Sequence, residues 1–246
     1  MIRSVSTLFV GAVLAGSASA AVVLNSDFEG NTLDEWTVAI TGAEGGVATN
    51  TVTNGFNTGA DSFVYDGNDV ADLGDYIAFA NTTTTRTVVS FTTDVFEDDE
   101  TTAQLISEGD VLSLTLAIGN RSASSGNFSR GADASFTVGY LTTPGDDTTF
   151  VGLQSLDLTQ FDIYGPTSPL FVEDNTFADF SVSTTIAAGS AAIGQQFAVQ
   201  VLFDQAGQSQ SRQSVFDNVR VDVVPEPSSV TLLGLGFFGL LIRRRR

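Results

Sequence analysis

Apolar and polar residues alternate with a period of two over several short runs, the pattern of strands with one buried face and one wetter face. The clearest run is 110–118, where Leu112, Leu114, Leu116 and Ile118 alternate with Val111, Ser113, Thr115 and Ala117. Runs 134–141, 177–186 and 196–203 read the same way. Less regular candidates are 21–24, 35–40, 47–53, 61–65, 75–80, 86–92, 148–153 and 215–223. Between the runs lie turn signals: Asp66-Gly67-Asn68-Asp69, Gly119-Asn120, Gly126-Asn127 and Pro144-Gly145-Asp146-Asp147. No stretch before the last two dozen residues carries a helical period, and no unit repeats at a fixed interval. The pattern predicts an all-β fold, one antiparallel β-sandwich of jelly-roll type over 21–223.

Both ends depart from this pattern. Met1-Ile2-Arg3 is a short positive leader, followed by an apolar segment from Val5 to Gly16 and by Ala18-Ser19-Ala20, a small-residue cleavage site. The reading is a signal peptide over 1–20, cut after Ala20. At the other end, 224–246 carries Pro225-Glu226-Pro227, an apolar run from Val230 to Ile242, and Arg243, Arg244, Arg245 and Arg246. The run falls short of the roughly 20 residues that cross a bilayer comfortably, so a transmembrane helix here needs local thinning or snorkelling arginines. The arginines stay on the cytoplasmic side and leave the body of the chain outside.

Charge narrows the partners. Once Arg3, the tail arginines and Glu226 are set aside, 28 acidic residues face 5 arginines, a net −23, with no lysine in the chain. Such a body repels nucleic acid and anionic lipid and attracts divalent cations. The chain also lacks cysteine and histidine, so no disulfide framework holds it. Ser-His-Asp hydrolysis, thiol and Schiff-base chemistry, and zinc sites built on His or Cys are excluded by composition.

The order of Val-Pro-Glu-Pro-Ser-Ser from Val224, Leu-Leu-Gly-Leu-Gly from Leu232 and the closing arginines resembles the PEP-CTERM sorting signal of Gram-negative bacteria. That resemblance implies recognition by exosortase, a transpeptidase-like membrane enzyme that cuts near the triplet. Pro225, Glu226 and Pro227 are then the recognition triplet and the arginines the cytoplasmic stop. The precursor is expected in the inner membrane and the product at the cell surface or in the extracellular matrix. A second resemblance rests on Leu24-Asn25-Ser26-Asp27-Phe28-Glu29-Gly30, with Leu33 and Trp36 after it, and on Phe216-Asp217-Asn218-Val219-Arg220-Val221. These stretches are similar to the first and last strands of galactose-binding-like jelly-roll carbohydrate-binding modules. The resemblance implies that the terminal strands lie together and that a structural Ca²⁺ is held by early carboxylates and a late Asp.

The residues themselves carry a related argument. On an unbroken last strand Asp217 shares a face with Val219, Val221 and Val223, and a carboxylate there requires a cation, backbone donors or a bulge. Asp27 and Glu29 also share a face, so with Asp217 they form a candidate hard-oxygen site for Ca²⁺. The plainer reading makes Asp27 a turn cap and Asp217 a strand end. Trp36 reads as core or edge packing in preference to a sugar platform, and Glu97-Asp98-Asp99-Glu100 as a solvated acidic turn. The expectation is a non-enzymatic exported surface protein. The alternatives are a module that retains exopolysaccharide and a carboxylate-based polysaccharide hydrolase or lyase.

Overall fold

The computed structural model describes residues 21–26, 36–42, 49–54, 76–82, 87–96, 102–120, 131–173, 176–204 and 212–225. They form β1 (Ala21–Ser26), β2 (Thr37–Gly42), β3 (Thr49–Asn54), β4 (Tyr76–Thr82), β5 (Thr87–Asp94), β6 (Val111–Asn120), β7 (Asp133–Leu141), β8 (Phe150–Leu158), α1 (Gln160–Tyr164), β9 (Thr176–Thr185), β10 (Gln196–Asp204) and β11 (Arg212–Val224). Every pairing among these strands is antiparallel. One sheet runs β3-β4-β11-β6-β9, with β1 also on β11, and the other runs β2-β5-β10-β7-β8. The expected antiparallel sandwich is the fold the chain adopts.

The alternation read in the sequence is what joins the two sheets. Leu112, Leu114, Leu116 and Ile118 of β6 enter the core from one sheet, and Phe197, Val199, Val201 and Phe203 of β10 enter it from the other. Phe216 of β11 crosses the gap, its ring 4.9 Å from Phe91 of β5 and 5.7 Å from Phe203. Phe136 of β7 meets Phe180 of β9 at 6.3 Å further along the same interface. Burying each such ring is worth about 2–3 kcal/mol of transfer free energy. With no cysteine to cross-link the sheets, this aromatic seam is a principal bond between them.

Three expectations change. Gly119-Asn120 is no turn: both residues lie in β6, where Gly119 leaves room for Val215 and Phe177 on the neighbouring strands. Asn120 is held there because its side-chain amide donates to the Val172 carbonyl at 2.6 Å. The strand expected over 148–153 is longer and shifted, running as β8 to Leu158 through a bulge opposite Val138 and Gly139. A helix does precede the tail, the five-residue α1, closed by a capping box in which Thr159 and Asp162 satisfy each other's backbone donors. The run 61–65 and the turn signals at 66–69 and 126–127 lie outside the described residues. Pro144-Gly145-Asp146-Asp147 does turn, with Gly145 at φ 74° and Asp146 accepting from the Thr148 amide.

Topology sorts the loops between two ends of the sandwich. At one end Val224, Val111 and Thr185 form a single row across β11, β6 and β9. Ala21 pairs with Val223 beside that row, so both termini of the domain leave from this end. The connection from β9 to β10 covers the same end through the Ile186 and Asp110 backbones. At the opposite end Asn120 pairs with Thr176 and Ala134 with Leu158, and the segment containing α1 joins them.

Candidate functional site

β11 is the strand on which the predicted sites converge, and it is not regular. Asp217 pairs with Ala117 while Arg220 pairs with Thr115, so three steps on β11 oppose two on β6. The extra residue is a bulge, and Asn218 takes a left-handed conformation there at φ 48°. The strand is therefore not unbroken, and the condition under which Asp217 would share a face with Val219, Val221 and Val223 does not hold. Phe216 faces the core before the bulge and Val219, Val221 and Val223 face it afterwards. Asp217 lies beside Ala117 on the other face of the sheet and is still fully buried. Of the three remedies available to a carboxylate there, the bulge is present, and a backbone donor is too: Asp217 Oδ1 accepts from the Asn218 amide at 2.7 Å.

The bulge also divides the neighbour of β11. Before it, residues 212–216 pair with β4, and after it, residues 219–223 pair with β1. The terminal strands thus lie together, as the resemblance implied. Ser26, which precedes Asp27 in the chain, pairs with Val219. Asp27 and Glu29 themselves lie outside the described residues, as do Ala18 and Ala20 of the signal cleavage site. Among the described residues no group of three acidic side chains converges closely enough to hold a metal ion. Beyond the bulge the wet face of β11 is tied down by Arg220, whose Nη2 sits 2.9 Å from Asp222 Oδ1. Its hydrogen bonds to Asp222 hold the guanidinium pKa above its usual value.

The ladder of β11 runs to Val224, which pairs with Val111, and stops at Pro225, which has no amide hydrogen to donate. Pro225 is exposed. Glu226, Pro227 and Arg243 to Arg246 lie outside the described residues. No helix among the described residues is long and apolar enough to cross a membrane.

The outer face of the second sheet is the other surface with chemistry on it. Gln200 donates to the Thr92 hydroxyl at 2.9 Å, and Ser135 and Ser155 both donate to Asp157, at 2.5 and 3.0 Å. Near the α1 end this face opens into a cavity of about 210 Å³ lined by Asp133, Ser135, Asp157, Thr159, Leu202 and Asp204, among others. The Gln160 amide donates to Asp133 there at 2.7 Å. Trp36 contributes nothing to that surface: it is buried and meets Phe216 edge to face at 6.2 Å. Tyr140 and Tyr164 are buried as well.

Sequence reasoning missed a carboxylate pair at the end where the termini leave. Burial, and next the charge of Asp147, hold the Asp94 carboxyl above the usual carboxylate range. The fully buried Gln196 links the end of β5 to the 144–147 turn, donating to Asp94 Oδ2 at 3.1 Å and accepting from the Gly145 backbone amide at 2.9 Å. Asp94 and Gln196 stand 102 positions apart, a separation that no local pattern bridges.

Comparison with known proteins agrees with this layout. Residues 223–246 match the PEP-CTERM protein-sorting motif. The motif marks the chain as an exported, membrane-anchored precursor that is sorted to the surface. A Stig cyclase, Fisc, from Fischerella sp. TAU superposes with a TM-score of 0.52 at 16% identity, over 85% of this chain and 100% of that one. An apo cyclase from Fischerella sp. gives a TM-score of 0.52 at 17% identity, over 85% and 99%. A family 16 carbohydrate-binding module gives 0.42 at 12% identity, over 82% and 99%. At these identities the two cyclase likenesses concern the fold alone. No curated protein matches the chain in sequence.

Proposed function

We propose that the chain is a non-enzymatic surface or matrix protein, a β-sandwich carried to the cell exterior by its C-terminal sorting segment and processed there by an exosortase-type enzyme. The observation that carries the reading is continuity: Val223 and Val224 belong both to the last strand of the sandwich and to the sorting motif or its border, with Pro225 next in line. The sandwich and its address form one covalent unit with no spacer. A tagged full-length chain, expressed in a host that has the sorting enzyme, should appear in the membrane fraction and then at the surface or in the medium. Replacement of Pro225-Glu226-Pro227 by alanines should trap the precursor. Surface delivery unaffected by that replacement would sink the reading.

A second reading is retention of exopolysaccharide. It is favoured by the half-buried Gln200, Ser135 and Ser155 on the outer face of the second sheet, whose amide and hydroxyl groups suit the hydroxyls of a sugar chain. Binding on a glycan array, weakened by Gln200→Ala, supports it, and no binding to any glycan with calcium present removes it. Release of new reducing ends from a polysaccharide panel would instead favour a hydrolase or lyase.

We also propose that Asp217 serves a structural Ca²⁺ together with Asp27 and Glu29. The support is that a fully buried carboxylate sits at the bulge next to the point where β1 meets β11. Bound Ca²⁺ would add hard-oxygen coordination to that carboxylate and stabilise the fold by linkage. The expected result is a calcium-dependent rise in Tm of several degrees for the 21–224 body, abolished by Asp217→Ala. Equal unfolding in calcium and in chelator would rule the ion out.

A further inference from the structure

The residues that lead into the sorting triplet are engaged on both sides. On one edge β1 pairs Ala21 with Val223, Val22 with Asp222 and Leu24 with Val221. On the other edge β6 pairs Leu112 with Val223 and Val111 with Val224. Val223 is also a core residue, 3% exposed. Only at Pro225 is the chain free of the ladder and exposed. A protease takes its substrate as a single extended strand over several residues around the bond it cuts, and such a strand is unavailable while it is part of a sheet. Cleavage of a folded protein then tracks the fraction of time the segment is open.

We propose that the β1-β11-β6 ladder gates sorting: the enzyme cuts the chain while the end of β11 is unpaired, and the closed sandwich is the protected state. The inference rests on the reading of the tail as a sorting signal and adds the regulation of that site. The cut breaks one peptide bond near the triplet, its acyl carbon passing to water or to an amine nucleophile and its nitrogen leaving with a proton. A cut at or after Pro225 leaves β11 whole, so the released domain is expected to keep its fold.

β1 is the weaker of the two clamps. It is six residues long, against ten for β6, and its register slips at a bulge between Val22 and Leu24. Its first residue, Ala21, is also the first residue expected to remain after signal cleavage. The described residues next to the two expected processing sites, Ala21 and Val224, thus stand at the same end of one strand pair, and closing that pair holds the approach to the second site in the sheet.

The test follows precursor conversion by pulse-chase in a host that carries the sorting enzyme, with the full-length chain. One variant inserts six Gly and Ser residues between Val224 and Pro225, which frees the triplet without touching the sandwich. A second, Val22→Cys with Asp222→Cys, places a disulfide across a paired position in a chain that has no other cysteine. The spacer is expected to speed conversion by about threefold or more, and the oxidised clamp to slow it by a similar factor until it is reduced. Conversion of both variants at the parent rate overturns the gate alone and leaves the sorting reading intact. A parent chain that reaches the membrane and is never cut overturns both.

Discussion

At Gly119 a methyl group has nowhere to go. A Cβ there would stand 2.5 Å from a Val215 methyl and 2.8 Å from the Phe177 ring, both on adjacent strands. Gly119→Ala is expected to destabilise the domain by about 1–3 kcal/mol, measured by chemical denaturation. The same residue shows why single positions were hard to read in the sequence. Gly-Asn is a turn signal in isolation, and only the side chains across the sheet make it a strand residue. Asp94 shows a different limit, since its environment is assembled from distant loops. Its pKa is raised, first by burial and then by Asp147, so the folded state favours the protonated form. That contribution is fully present below the ordinary carboxyl pKa of about 4 and is lost as pH rises through the raised value. Asp94→Asn keeps an acceptor for Gln196 and removes the charge. Thermal unfolding from pH 4 to 7 should show a flatter profile for the variant and a Tm about 1–2 °C above the parent at pH 7. A lower Tm at neutral pH would contradict this account.

At the scale of the element, legibility followed periodicity. β6, β7, β9 and β10 were evident because their inward residues recur every second position without interruption. β8 is only partly legible because its bulge shifts the phase and Gly152 carries no side chain to mark a face. α1 was missed because five residues cannot display a helical period. β11 is legible in place and in the common inward face of Val219, Val221 and Val223, and the bulge is one of the alternatives the buried carboxylate leaves open; only the face of Asp217 depends on it, and the Asp-Asn pair is its one mark in the sequence. That bulge depends on Asn218 at φ 48°, a region open to Asn and Gly and closed to β-branched residues. Asn218→Val should therefore cost about 1–2 kcal/mol. Asn218→Gly should stay within about 1 kcal/mol of the parent in the same denaturation experiment. If valine were tolerated as well as glycine, the strand would not need its left-handed step, and the burial of Asp217 would need another cause.

For the whole molecule, the arrangement of the ends leads to a prediction about orientation. β11 ends at the row Val224-Val111-Thr185 and the sorting motif continues from there, so that end of the sandwich is expected to face the bilayer in the anchored precursor. The α1 end, with its cavity and the exposed Phe161 and Leu170, then points away from it. The tail is legible in the sequence, and the meeting of first and last strands follows from the resemblance of their residues to carbohydrate-binding modules. Which loops share an end is not legible, because that depends on strand order in two sheets. The absence of native cysteine makes the orientation measurable. Thr167 and Ala188 are both exposed, the first in the segment after α1 and the second in the connection just past Thr185. In the membrane-bound precursor, Thr167→Cys should react with a bulky membrane-impermeant maleimide about threefold or more faster than Ala188→Cys, as steric shielding by the bilayer requires. The two should react at similar rates in the 21–224 body, where no membrane lies beneath either. Equal rates in the precursor would mean that the sandwich does not stand on its terminal end.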